Sequence, residues 1–569
     1  MKQILAIILS FILLLSAVIP AFARDEGEKQ VAIVVPGVME TVLFFEETLD
    51  LHLRYFDGAG DYIRDVGNIK NLLFGLLKAI FLFKYDKLDE ALVELNDVTL
   101  GALDMNPDGT SVRNLCPIAS GAADSSLSAL KKSGEWKHVD QGAMFTLTLG
   151  EQLGDENVFV FLYDWRLNPF DLADQFGAFI DEAKEISGVD KVNIYSNSYG
   201  AQVVSTYLYS LEGCENVDRV VFNAPAWQGT SVPGLLTAES KEDMKFNIID
   251  GLHFVMRLMM FDYDLEPLVR LIPKRIADEV FFTLAQRTLY AHMLYMPAFW
   301  CCCTAEDYEE LKEKLLDPVR DADFIARNDE VQYGIMSRIP EVLDYVQAQG
   351  VTVAITAYDG NNLFIGDRIN GDYVVDIEKA AGGEVLPLGE KFADGRTGKY
   401  ISPSGGLDLT NGLLPDRTWV ITGQAHGQTY WDGVTNTLIP KLLLTDEIGS
   451  VFSSPEFPQF MDSRCPAMDI SLLLENRVEK TLDPAEGAVK AVIRNESDAN
   501  VLLTGVTVSG LPYKAGPVLG TLKPGESKVI TLTPTADSAE PGYGSIKVCY
   551  IDTGILPQKE SRSFAFKVG

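Results

Sequence analysis

The segment Val192-Asn193-Ile194-Tyr195-Ser196-Asn197-Ser198-Tyr199-Gly200-Ala201 constrains this chain more than any other. An apolar run ends in Ser-x-Ser-x-Gly, and a helical pattern from Gln202 to Leu211 follows at once. A chain that passes from strand to helix within one sharp turn strains the central residue, and it needs small residues two before and two after. Gly200 meets that need, and Ser196 is the smallest side chain short of glycine or alanine. The spacing predicts that Ser198 crowns the turn, where its hydroxyl is presented as a nucleophile. An ordinary strand-to-helix turn is the competing reading.

The surroundings predict the sheet such a turn requires. Val-Ala-Ile-Val-Val-Pro at residues 31–36 is a short apolar run ending at Pro36-Gly37, and Val158 to Tyr163 and Lys191 to Tyr195 repeat the texture. Leu172 to Ile186 lies between the last two with apolar residues at helical spacing, which makes a βαβ unit of a parallel sheet. Further strands are expected at Arg219 to Phe222, Val351 to Ala357 and Thr418 to Ile421. From about 235 to 345 the texture turns helical, as at Phe254 to Phe261, Ile276 to Thr283 and Asp307 to Leu316. An insertion there is expected to cap the site, with plain extra helical packing as the alternative. Alternating runs such as Val489 to Ile493, Val501 to Val508 and Ile546 to Ile551 predict an all-β sandwich over 468–569, joined by a linker at 453–467.

The N-terminus carries Met1-Lys2, an apolar run from Ile4 to Ile19, and Ala21-Phe22-Ala23. This is the layout of a secretory signal peptide over 1–23, cleaved after Ala23, and the run is short for a retained membrane span. The expected mature protein is secreted, with its first domain over 24–452. A net charge of -33 repels phosphate backbones, so nucleic acid is excluded as a partner. Seven cysteines, three of them consecutive at Cys301-Cys302-Cys303, leave room for one or two disulfides among these, Cys116, Cys214, Cys465 and Cys549. Neither CxxC nor HExxH occurs, so no metal site and no cofactor are expected. The oligomeric state is not legible.

A serine hydroxyl needs a base. Of five histidines, His52, His138, His253 and His292 fall in segments read as helix or loop and are taken as structural. His426, in Gly423-Gln424-Ala425-His426-Gly427, follows the last strand expected in the sheet. The orienting acid belongs between Ser198 and His426 in chain order. Asp372, within Gly371-Asp372-Tyr373-Val374-Val375, is preferred, with Asp359 directly after a strand as the alternative and Asp367 and Asp376 behind them. Backbone N–H groups for a developing oxyanion are expected from Tyr199 and from Val38 or Met39 in the turn Pro36-Gly37-Val38-Met39.

With these residues in view, the chain resembles the lecithin:cholesterol acyltransferase-like lipases over roughly residues 28–445. Val34-Val35-Pro36-Gly37 looks like that family's opening strand and oxyanion turn, and Tyr163-Asp164-Trp165-Arg166 matches its Tyr-Asp-Trp-Arg signature. Ser198, the Gly371 to Val375 segment and His426 fall where its nucleophile, acid motif and late histidine are expected. The resemblance implies a cap-covered α/β-hydrolase fold acting on acyl esters, often of lipids, through an acyl-enzyme. Glu40 stands where the family usually has a second glycine, and Ser196-Asn197 precedes the nucleophile in place of the usual His or Gly. The tail resembles immunoglobulin-like modules at the ends of secreted bacterial enzymes. The expected partners are an ester or lipid substrate and a transient lipid or cell-surface contact. Acyl transfer to an alcohol, and a non-catalytic binding protein on a hydrolase scaffold, are the other readings.

Overall fold

The computed structural model describes residues 29–45, 101–138, 145–234, 290–359, 371–422, 434–462 and 469–568, apart from a few positions inside these stretches, together with His426 and scattered positions from 75 to 94. Apolar runs too short for helices become strands: β1 (Ala32–Val35), β2 (Val158–Val160), β3 (Val192–Asn197), β4 (Val217–Asn223), β5 (Thr352–Asp359), β6 (Thr418–Thr422) and β7 (Phe460–Asp462). They form one seven-stranded sheet in the order β2-β1-β3-β4-β5-β6-β7. Every pairing in it is parallel.

A parallel sheet is covered on both faces, so its strands are apolar without alternation. Ile33, Val35 and Ile194 point into one core, while Ala32, Val34 and Tyr195 point into the other. Helix α1 (Phe145–Leu153) covers the second face, with Phe145 stacked on Tyr195 at 4.4 Å between ring centroids. Helices α2 (Pro169–Ser187) and α3 (Gly200–Ser210) cover the first. Helix α2 has explicit ends: Asn168 Oδ1 accepts the Phe170 N–H, Pro169 opens the first turn, and Gly188 closes it at φ +69°.

Helices α4 (Ala305–Leu315) and α5 (Ala322–Gly334) share a small core around Trp300, Tyr308, Leu311 and Phe324. The segments Phe254 to Phe261 and Ile276 to Thr283 lie outside the described residues. Helix α6 (Ile339–Ala348), expected as the end of a cap, instead buries Ile339, Val342, Leu343 and Val346 in the core against the sheet and leads directly into β5. Its apolar stripe matches the sheet face, which is why it flanks the sheet. Helix α7 (Thr435–Leu444) packs on the opposite face. A parallel sheet in this order, wrapped by helices on both faces, is the α/β-hydrolase fold.

One boundary is corrected. The stretch expected as linker from 453 supplies β7, paired to β6 through Val420↔Phe460, and Phe457 is buried with its carbonyl accepting Trp419 Nε1–H at 3.1 Å. Beyond it, strands Asp469–Leu473, Val489–Arg494, Ser527–Pro534 and Tyr513–Ala515 form a four-stranded antiparallel sheet in that spatial order. A five-stranded sheet lies in the order Thr481–Leu482, Gln558–Val568, Gly542–Asp552, Val501–Ser509, Gly520–Leu522. Ala491, Ile493 and Leu532 from the first sheet share one core with Leu503, Ile546 and Val548 from the second, which makes the tail a β-sandwich.

Candidate active site

Ser198 sits between β3 and α3 with φ +52°, a left-handed conformation that non-glycine residues rarely adopt. The strain is held from below. A Cβ on Gly200 would lie 2.6 Å from the Val35 carbonyl oxygen and 2.7 Å from that of Pro36, so only glycine lets the turn settle on the end of β1. Ser198 donates its backbone N–H to Asn223 at 3.0 Å, and its carbonyl accepts from Ala201 and Ala226, both at 3.1 Å.

The structure brings the three side chains singled out in the sequence into one line. Ser198 Oγ lies 2.9 Å from His426 Nε2, and His426 Nδ1 lies 2.7 Å from Asp372 Oδ2. All three are buried, Asp372 to 1% exposure. The Gly371 to Val375 segment folds into a tight turn in which Asp372 Oδ1 accepts the Val374 and Val375 N–H groups at 3.1 and 2.7 Å. The Asp372 carbonyl accepts the His426 N–H at 2.8 Å, a backbone link between the two residues beside the one through their side chains. Burial works against a charged imidazole here. The charge and hydrogen bond of Asp372, joined by the charge of Glu40, outweigh it and raise the His426 pKa above its ordinary 6.5.

Asp359 ends β5 opposite Thr422 and is not the partner of His426; desolvation pushes its carboxyl up to about 6. Asp376 accepts from the Ser231 N–H and hydroxyl at 3.1 and 2.6 Å. Asp367, His52 and His253 lie outside the described residues. His292 pairs with Asp104 at 2.6 Å, and His138 ends a short turn of helix at Glu135–His138.

The turn after β1 closes through Glu40 N–H to the Gly37 carbonyl at 3.3 Å, with Met39 at φ +64°. Among the described residues no acceptor takes the N–H of Val38, Met39 or Tyr199. The Tyr163 to Arg166 signature brackets this turn. Tyr163 donates its hydroxyl to the Pro36 carbonyl, and Trp165 Nε1–H donates to that of Thr41 at 3.1 Å. Arg166 is fully buried and grips Asp164 with two hydrogen bonds, Nε to Oδ1 at 2.9 Å and Nη2 to Oδ2 at 2.7 Å.

Sequence reasoning missed Gln202, whose Nε2 donates to the carbonyls of Ala226 and Cys301 at 2.6 and 2.8 Å and ties α3 to the helix Pro297–Cys301. An amide in the first turn of a helix, beside Ser205 and Thr206 on the same face, was its only signal. Cys214, Cys301, Cys302, Cys303 and Cys549 carry free thiols, and Cys465 lies outside the described residues. Burial pushes the Cys302 thiol up to about 12. Among the described residues no cluster of histidine, cysteine or carboxylate groups is arranged to hold a metal ion, and no helix is long and apolar enough to cross a membrane.

No known family's sequence pattern matches this chain, and no curated protein matches it. Among solved structures it is similar to the Bacillus licheniformis lipase BlEst2 in its propeptide form, at 11% identity over 75% of this chain and 91% of that one, with a TM-score of 0.24. An α/β-hydrolase fold protein from Nakamurella multipartita is similar at 12% identity over 53% of this chain and 87% of that one, with a TM-score of 0.22. The Caenorhabditis elegans MSP-domain protein SSP-19 is similar at 17% identity over 16% of this chain and 91% of that one, with a TM-score of 0.13. The sheet order and its flanking helices, not these distant likenesses, establish the fold.

Proposed function

We propose that this protein is a secreted serine hydrolase that cleaves carboxylic esters, lipid acyl esters first among them, through an acyl-enzyme on Ser198. One observation carries the reading: the unbroken line from Ser198 Oγ through both ring nitrogens of His426 to Asp372. In this reading His426 takes the hydroxyl proton as Oγ attacks the ester carbonyl carbon. The carbonyl oxygen gains the charge and is met by the N–H of Tyr199 and of Val38 or Met39. The alkoxide leaves with the proton from His426, and water then repeats the sequence to free the acid. Asp372 holds the tautomer with the proton on Nδ1 and stabilises the imidazolium.

The resemblance to lecithin:cholesterol acyltransferase-like lipases supports a lipid acyl group, and the composition of residues 1–23 supports export. We read the C-terminal sandwich as an immunoglobulin-like accessory module. A fluorophosphonate probe tests the chemistry. Wild type is expected to label and Ser198→Ala not to. A series of p-nitrophenyl esters and phospholipids then reads the acyl preference, and an ester product in the presence of an alcohol would mark acyl transfer. A wild-type protein that takes no probe and cleaves no ester overturns the reading in favour of a binding protein.

A further inference from the structure

Glu40 is 8% exposed, inside the turn that follows β1. One of its oxygens accepts the Gly37 backbone N–H, and the other accepts Asn197 Nδ2–H at 2.6 Å. Asn197 Oδ1 accepts in turn from Asn223 Nδ2 at 2.6 Å. Asn223 Oδ1 accepts from Thr356 Oγ1 at 2.7 Å and from the Tyr358 hydroxyl. The chain of hydrogen bonds therefore begins in the turn after β1 and crosses the C-terminal ends of β3, β4 and β5, which are neighbours in the sheet. It passes through the residue immediately before Ser198.

We propose that Glu40 is a positioning residue of the Ser198 site: its carboxylate ties the turn bearing the Val38 and Met39 N–H groups to the nucleophile turn, and its charge favours the protonated imidazole of His426. The inference rests on the hydrolase reading. Burying a carboxylate is costly unless its oxygens are hydrogen-bonded, and both oxygens of Glu40 are. An added Cβ on Gly37 would lie 3.1 Å from both Glu40 Oε2 and Ser198 Oγ, so a single carbon spans the space between carboxylate and nucleophile. Among the described residues the groups whose charge acts on His426 are Asp372 and Glu40, and both raise its pKa. The Glu40 charge also acts on the Tyr163 phenol, which burial, with help from that charge, holds well above its ordinary value.

Tether and charge are separable. A neutral amide at position 40 keeps the tether, because the amides of Asn197 and Asn223 can turn over together and the Thr356 and Tyr358 hydroxyls can rotate to follow. Glu40→Gln is therefore expected to fold and to label with a fluorophosphonate, with the acid limb of its labelling rate against pH displaced downward by about 0.5 pH unit or more. Glu40→Asp is expected to keep the limb near its wild-type position. The pair Glu40→Asp and Glu40→Asn, which differ in charge at one length, repeats the comparison if Glu40→Gln does not fold. An NMR titration of the His426 ring in a Ser198→Ala background gives the same shift without turnover. Wild type that labels while the neutral variants keep its acid limb overturns this proposal alone. Wild type that never labels removes the hydrolase reading and this inference with it.

Discussion

Gly37 and Ser198 pack so closely that a methyl group on the glycine would lie 2.6 Å from the serine Cβ. A contact that short forces the nucleophile turn off the end of β1. Displacing reacting groups by an ångström costs on the order of 100-fold in rate. Gly37→Ala is therefore expected to lose about 100-fold or more in fluorophosphonate labelling while far-ultraviolet circular dichroism stays unchanged. An unaltered labelling rate would mean the turn relaxes without moving Ser198.

Asp372 divides its two oxygens between tasks, Oδ2 to His426 and Oδ1 to the Val374 and Val375 N–H groups. In Asp372→Asn the amide oxygen keeps the turn, and the amide NH2 faces His426 Nδ1. The imidazole must then carry its proton on Nε2, towards Ser198, where it cannot act as a base. We expect kcat to fall by about 10⁴-fold with little change in Tm. Asp359→Asn, by contrast, is expected to hold kcat within a few-fold. The reverse ranking would reassign the acid.

What the sequence made legible follows from local rules. Strand β1 is buried on both faces and reads as an unbroken apolar run, whereas β3, equally buried, carries Asn193, Ser196 and Asn197 and is legible from Val192, Ile194, Tyr195 and the turn that ends it. Ser198 and Asp372 stand in turns whose glycines are demanded by close backbone contacts, and His426 follows the last long strand. Strand β7 escaped because three residues show no periodicity, and Ser453-Ser454-Pro455 before it and Cys465-Pro466 after it read as linker. Glu40 was visible only as a departure from a family pattern. Its partner Asn197 lies 157 positions away, beyond the reach of any local pattern.

Arg166 and Asp164 form a pair with side-chain exposures of 0% and 11%, next to the two aromatic residues that hold the turn after β1. Removing one member of such a pair strands the other charge and costs about 3–5 kcal/mol. Arg166→Met should lower stability by that amount in urea unfolding and slow labelling of Ser198. The double variant Asp164→Leu with Arg166→Met should recover most of the stability, since no charge is then left stranded. If the double variant is as unstable as the single one, lost packing rather than the stranded charge sets the cost.

Asp376 adds a pH term of its own. Desolvation, opposed by the Ser231 hydrogen bonds, raises its carboxyl from 3.8 to about 6 in the folded protein. Among the described residues its Oδ1 has no hydrogen-bond partner. The folded state thus binds this proton more tightly than the unfolded chain, and stability falls as pH rises from about 4 to about 6. Above that window the ionised group costs on the order of 2–3 kcal/mol. Asn at this position still accepts from Ser231 and carries no charge. Asp376→Asn is therefore expected to match wild type in urea unfolding at pH 4 and to exceed it at pH 8 by an amount of that order. Equal stabilities at both pH values would show that the carboxylate is solvated in the folded state.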